Sequence, residues 1–170
     1  MKFSSNRATV LVLITSAFML AATGCKKSSN NGGGSGSMSA TISSTAWTNN
    51  YPLVGLYSSS GSIGLFEIVG LQFKGGDSTS FALEFGSPFT LNHAYSSDTS
   101  AISVAYVDTK TQVGYGVVPG IGNAVLTITS YDSTGHSIGG TFSGVLYNIS
   151  TFADSIIVTN GKFNSSYTVN

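Results

Sequence analysis

Few side chains in this chain could do acid–base or nucleophilic chemistry: it has two histidines, His93 and His136, and one cysteine, Cys25. A histidine can act as the base that activates a serine when a third group orients it. Both histidines stand in segments typical of turns or strand ends, since His93 follows Leu91-Asn92 and His136 follows Gly135. We therefore predict exposed polar histidines and no catalytic residue. A small hydrolase using His93 or His136 is the alternative interpretation.

Metal binding is not expected either. Two histidines without thiols are too few for a zinc site. Calcium favours clustered carboxylates, but the sequence contains no D-x-[DN]-x-[DN]-G loop. Asp77 follows Gly75-Gly76 and Asp132 precedes Ser133-Thr134-Gly135, and an aspartate in such a segment usually caps a turn by bonding its own backbone. No cofactor is predicted.

The cysteine carries the clearest chemical prediction. Lys2 and Arg7 precede an apolar run over residues 10–22, which Thr23-Gly24-Cys25 ends. The run is shorter than the roughly 20 residues of a membrane-spanning helix, and its flanks are those of a secretory signal peptide. Small residues before a cysteine are typical of a bacterial lipoprotein signal. We predict that residues 1–24 are removed and that Cys25 receives diacylglycerol and further acylation of the palmitate type, which anchors the protein to a membrane.

Behind the predicted anchor, residues 25–37 hold the lipidated cysteine and a Ser/Asn/Gly linker, SSNNGGGSGS over 28–37. Such chains behave as flexible coils. After cleavage the protein would carry five basic and seven acidic residues, a formal charge of −2. That balance argues against nucleic acid as a partner, because binding to phosphates needs a basic surface.

From residue 38 to 170 the patterns predict one antiparallel all-β domain of about nine strands, a sandwich or a barrel-like fold. In SFALEF (80–85) every second residue is large and apolar, the period of a half-buried strand, which leaves Glu84 on the solvent side. We predict that Glu84→Ala is nearly silent. The predicted core includes Phe81, Leu83, Phe85, Leu126, Ile128, Phe142 and Ile156.

Two glycine-containing segments give more specific expectations. Between Ile68 and Leu71 the apolar alternation changes parity at Gly70, which predicts a β-bulge or a bend between sheets. Asn160-Gly161 stands between two apolar runs and predicts a hairpin with a type I′ turn, because that turn needs positive φ at both central residues.

Several aromatic residues lie near proline, serine or asparagine rather than in regular strand alternation. Rings outside a core can stack on sugars or anchor a protein interface. The predicted ligand-stacking candidates are Trp47, Tyr51, Tyr57, Phe89 and Tyr95.

Several segments together resemble a family of Bacteroidota lipoproteins that carry a domain of unknown function. The matching segments are LTITSYD (126–132), IGGTFS (138–143) and VTNGKF (158–163), with MSATI (38–42) and AW (46–47) near the start of the domain. The resemblance implies an all-β lipoprotein of a Gram-negative envelope and supplies no catalytic residue. The Asp-Ser segments at Asp77, Asp132 and Asp154 also resemble the O-glycosylation acceptor pattern of that phylum.

The sequence thus predicts a lipid-anchored envelope protein whose domain binds or supports rather than catalyses. Lys26 after Cys25 differs from the aspartate that retains some lipoproteins in the inner membrane, which favours the outer membrane. A neutral, hydroxyl-rich surface with aromatic rings fits an uncharged glycan or another envelope protein as the partner.

Overall fold

The structure is a computed structural model that describes residues 36–60, 62–118 and 120–170. The predicted signal peptide over 1–24, Cys25 and nearly all of the predicted linker lie outside these residues. Within them every regular element is a strand, so the predicted all-β fold class is confirmed. The same ranges contain no helix with the length and apolar character that crossing a membrane requires.

Twelve strands form in the described ranges, against about nine predicted. The difference lies in short strands such as β2, β6 and β12, which have four, three and two residues. Strands this short show too little alternation to be recognised in a sequence. In order they are β1 (Ser37–Ile42), β2 (Thr45–Thr48), β3 (Val54–Ser60), β4 (Ile63–Lys74), β5 (Asp77–Ser87), β6 (Ala94–Ser96), β7 (Ile102–Asp108), β8 (Val113–Gly116), β9 (Asn123–Asp132), β10 (Ser137–Asn148), β11 (Ser155–Ser166) and β12 (Thr168–Val169).

The strands form one mostly antiparallel sheet that is not closed into a barrel. Its order is β12-β3-β4-β5-β7-β8-β10-β11-β1-β2, with β9 paired to β10 and β6 paired to β9. Strands β12 and β3 form a parallel pair. The two ends of this order, β12 and β2, are not paired with each other.

Strand β10 joins two halves of the sheet. Residues 137–145 of β10 pair with β9, whereas residues 147–148 pair with β8. We call β12-β3-β4-β5-β7-β8 the first layer and β6-β9-β10-β11-β1-β2 the second layer. The layers face each other, because Phe81 of the first lies 5.4 Å from Phe142 of the second between ring centroids, and Phe85 lies 6.4 Å from Phe163. This packing is that of a sandwich.

The predicted core is largely confirmed. Six of the seven predicted residues are buried between the layers: Phe81, Leu83, Phe85, Leu126, Ile128 and Phe142. The seventh, Ile156, is only half-buried and packs against the edge of this core.

The predicted hairpin at Asn160-Gly161 is wrong, because β11 runs through both residues without turning. In the pairing of β11 with β10, the register shifts between Phe142 and Gly144, so that two residues of β11 oppose one of β10. Asn160 has φ +53°, and a Cβ on Gly161 would meet the Phe142 carbonyl oxygen and ring. Thr159 and Asn160 therefore oppose the single residue Ser143 in a β-bulge, and only Asn160 of the predicted turn dipeptide has positive φ.

The predicted bulge at Gly70 is also wrong. Strands β4 and β5 pair without a register shift from Gly64 opposite Ser87 to Lys74 opposite Asp77. A Cβ at position 70 would lie 3.0 Å from Met38 Sδ and 3.2 Å from the Trp47 ring. Glycine is needed there because the second layer packs directly on the strand backbone.

Candidate functional site

The two histidines lie in two different loops of the domain. His93 is exposed in the loop before β6 and meets Tyr95 edge to face, with 4.7 Å between ring centroids. His136 is exposed in the β9–β10 turn and stacks on Tyr167 at 5.3 Å. The contact that the structure gives each imidazole is thus a tyrosine ring rather than an acid or a serine.

One sequence signal for a hydrolase was overlooked, because Gly135-His136-Ser137-Ile138-Gly139 fits the G-x-S-x-G pattern. That pattern marks a nucleophile only where a strand, a sharp turn and a helix place the serine at the turn. Here the positive φ of +49° is at His136, and Ser137 is the first residue of strand β10. The segment is a β-hairpin, which is a different context from a nucleophile elbow.

The aspartates predicted to cap turns do so in part. Asp132 Oδ1 accepts hydrogen bonds of 2.9 Å from the backbone N–H groups of Thr134 and Gly135. Asp77 instead forms an exposed ion pair with Lys110 at 3.2 Å. Within the described ranges, no group of three or more His, Cys, Asp or Glu side chains is arranged to hold a metal ion.

Two of the five predicted stacking residues, Trp47 and Tyr51, lie near the N-terminal half of β5, which contains Phe81. Trp47 is only 3% exposed, packs edge to face on Phe81 at 4.9 Å and donates a 2.7 Å hydrogen bond to Thr79 Oγ1. It is a core residue and presents no ring to a ligand. Tyr51 is 43% exposed and meets Phe73 edge to face at 5.6 Å.

Tyr57 and Phe89 lie at the opposite end of the first layer, around the buried ring of Phe66, whereas Tyr95 lies on β6 of the second layer. Tyr57 lies 4.6 Å from Phe66, Phe89 lies 5.8 Å from it, and Phe89 also lines a cavity beside Tyr95. Rings from the second layer complete a continuous cluster that we call the aromatic end. Its members are Tyr57, Phe66, Phe85, Phe89, Tyr131, His136 and Tyr167.

Tyr131 is the most accessible large ring of this cluster, with 41% of its surface exposed. It stacks on the buried Tyr167, with ring planes 12° apart and centroids 6.2 Å apart, and the Tyr167 hydroxyl donates to the Tyr131 hydroxyl at 3.4 Å. Burial, and next the hydrogen bond to Tyr131, raise the pKa of Tyr167, which keeps it neutral. His136 stacks on Tyr167 as well, so two exposed rings, Tyr131 and His136, both contact one buried ring; we call these two rings the exposed aromatic surface.

A second unusual feature is a pair of acids on the outer side of the first layer. Glu67 of β4 and Glu84 of β5 are directly opposite in register, on the side of these strands away from Phe66 and Phe85. Glu84 is only 7% exposed, which makes the prediction of a solvent-facing Glu84 wrong. One oxygen of Glu67, Oε1, is buried without a hydrogen-bond partner.

The surroundings of this acid pair explain its electrostatics. The residues opposite on the next strands are Leu56 beside Glu67 and Ser103 beside Glu84, and neither brings a positive charge. Burial, and next the negative charge of Glu67, raise the pKa of Glu84 to about 7. Burial also raises the pKa of Glu67. Strand alternation placed both acids on the outer side, but it does not say that apolar neighbours would desolvate them.

Sequence reasoning therefore found the aromatic end in part. Of its members, sequence reasoning selected Tyr57 and Phe89, which lie beside serine and proline, and it missed Tyr131 and Tyr167. A usable signal existed, since Tyr131 stands at the end of a strand next to Asp132. Comparison of the chain with models of protein families, with curated proteins and with solved structures finds no match.

Proposed function

We propose that this protein is a lipid-anchored lipoprotein of a Gram-negative outer membrane, of the Bacteroidota type, whose β-domain is a non-catalytic binding module. The exposed aromatic surface of Tyr131 and His136 contacts the partner, which is an uncharged glycan. The observation that carries the proposal is the accessible Tyr131 ring, which is near-parallel to the buried Tyr167 ring and hydrogen-bonded to its hydroxyl. A ring fixed in this way presents a rigid apolar face with little conformational entropy left to lose on binding.

Polar groups beside the rings suit hydroxyl-bearing ligands. Asp132 follows Tyr131, and its Oδ1 is engaged in the turn, which fixes the orientation of the carboxylate. A fixed carboxylate can accept hydrogen bonds from sugar hydroxyls while the rings cover the apolar face of the sugar. The low content of charged residues, 8% of the chain, supports an uncharged ligand over an ionic one.

The glycan interpretation predicts that Tyr131→Ala weakens binding by about tenfold or more, because a central aromatic anchor typically contributes more than 1 kcal/mol. The measurement is a neutral-glycan array with the chain from residue 26 onward, followed by calorimetry on the strongest glycan. Ile157→Ala is the matched control, since Ile157 is an exposed apolar residue, 55% accessible, on β11.

Equal affinities of the two variants would contradict the glycan proposal. Capture of a purified envelope protein in place of any glycan, abolished by Tyr131→Ala, would reassign the same surface to a protein partner. Hydrolysis of an ester, peptide or glycan that disappears in His93→Ala or His136→Ala would favour the hydrolase alternative.

The anchor is tested separately. Mass spectrometry of the membrane-extracted protein is expected to show a mature chain that starts at an acylated Cys25. Cys25→Ser is expected to abolish labelling with a palmitate analogue and to release the domain from membranes, because stable anchoring needs the acyl chains. A mature protein that retains residues 1–24 would refute the lipoprotein proposal.

A further inference from the structure

A cavity of about 210 Å³ lies between the two layers, where their strands separate. It forms where β9 and β6 diverge from β8, β7 and β5, because β10 pairs with β9 and with β8 at different points along one edge. Its deep walls are the buried side chains of Phe85, Leu126 and Ile128. Half-buried Phe89, Tyr95 and Ile102 complete the cavity toward the surface.

The chemistry of the lining is neutral. No charged side chain lines this cavity, and its polar side chains are those of Tyr95, Ser87 and Ser100. An ionic ligand would lose its hydration here without gaining a counter-charge. The cavity therefore fits an uncharged molecule with an apolar body.

Tyr95 supplies a directional polar contact. It stands opposite Leu126 in the β6–β9 register, so its ring lies on the inner side of the layer. The Tyr95 hydroxyl accepts a 2.6 Å hydrogen bond from the backbone N–H of Thr90, which fixes the position of the oxygen. A phenol hydroxyl both accepts and donates, so its own proton stays available for a ligand oxygen.

We propose that this cavity binds a neutral, ring-sized apolar molecule that carries one hydrogen-bond acceptor, with the acceptor bonded by the Tyr95 hydroxyl. An apolar protein cavity of about 150 Å³ holds benzene, so a cavity of about 210 Å³ holds a single ring with a small substituent. The proposal is independent of the glycan function, although Phe89 belongs both to the aromatic end and to this cavity.

The test uses two probes of nearly equal size, acetophenone and ethylbenzene, of which only acetophenone has a carbonyl acceptor. Both are titrated into the ¹⁵N- and methyl-labelled chain from residue 26 onward and followed by NMR. We expect saturable shifts at the methyl groups of Leu126 and Ile128 and tighter binding of acetophenone. Tyr95→Phe is expected to weaken acetophenone by about 2- to 10-fold, the effect of one neutral hydrogen bond, and to leave ethylbenzene unchanged.

A second variant keeps the proposal falsifiable if Tyr95→Phe fails to fold. Ala101 lies at the exposed side of the cavity, and Ala101→Phe is expected to fill it and to abolish binding of both probes. Ile157→Ala, an exposed residue of β11 that does not line the cavity, is expected to leave acetophenone affinity within about twofold. Absence of saturable binding, or an acetophenone preference that survives in Tyr95→Phe, or unchanged binding in Ala101→Phe, would overturn the proposal.

Discussion

Phe66→Ala is expected to lower the free energy of unfolding by about 3–5 kcal/mol, the range for removing a fully buried phenylalanine ring. Phe66 has no exposed surface and stacks on Phe85 at 5.3 Å with ring planes 11° apart. It is also the ring that every other member of the aromatic end except His136 contacts. Its further aromatic neighbours are Tyr57, Phe89, Tyr131 and Tyr167.

The loss is measured by urea unfolding, with the fluorescence of Trp47 as the signal, because Trp47 is the only tryptophan of the chain and is buried. Phe152→Ala is the matched control, since Phe152 is 53% exposed, and its change is expected to stay below about 1 kcal/mol. Equal losses in the two variants would show that Phe66 does not hold the aromatic end together.

The side of a strand on which each residue lies could be predicted from the sequence, because it depends only on the period of two. Phe81, Leu83 and Phe85 are buried as their alternation required, and Glu84 lies on the other side. The degree of burial on that other side depends on neighbouring strands that are distant in sequence. Ser103, for example, is placed beside Glu84 by the pairing of β5 with β7.

Pairing also explains why the prediction failed at Asn160-Gly161. Asparagine tolerates positive φ, which a type I′ hairpin turn needs, and here Asn160 adopts it in a β-bulge instead. The bulge forms because β11 pairs on both edges, with β10 and with β1, before and after these residues. Strands β1 and β10 begin at residues 37 and 137, so the sequence around Asn160 does not contain the partners that decide between a turn and a bulge.

The candidate site shows the same limit for aromatic residues. Trp47 and Tyr51 lie four residues apart and were both selected as candidates, yet Trp47 is buried and Tyr51 is exposed. The difference arises at Gly70, whose missing side chain gives Trp47 room against the first layer. An aromatic ring stays exposed, and so available for binding, only where the core has no space for it. That space depends on how the two layers pack together.

Glu84→Gln is expected to stabilise the protein by about 2 kcal/mol at pH 8 and to leave it nearly unchanged at pH 4. Burial and the charge of Glu67 raise the pKa of Glu84 from 4.5 to about 7, so ionisation costs the folded state more than the unfolded state. A shift of this size corresponds to about 3 kcal/mol at full strength. We expect a gain of about 2 kcal/mol, below this full value, because Glu67 is only half-buried and solvent screens part of the repulsion between the two carboxylates.

The pH dependence follows from the same shift. The folded state holds the proton of Glu84 more tightly than the unfolded state does, so stability is greatest below pH 4.5, where both states are protonated. Stability then falls as the pH rises from 4.5 to about 7 and levels off above that value. Glutamine carries no titrating proton and removes the negative charge beside Glu67, so the variant is expected to lose most of this decline.

Urea unfolding at pH 4, 6 and 8 measures both effects, and Asp98→Asn is the matched control because Asp98 is an exposed acid remote from the pair in sequence. The control is expected to follow the parent protein at every pH. The expected gain at pH 8 arises because one carboxylate is removed from an apolar surface that offers Glu67 Oε1 no hydrogen bond. A Glu84→Gln variant that is less stable than the parent at pH 8 would show instead that the carboxylate of Glu84 is favourably bound in the folded protein.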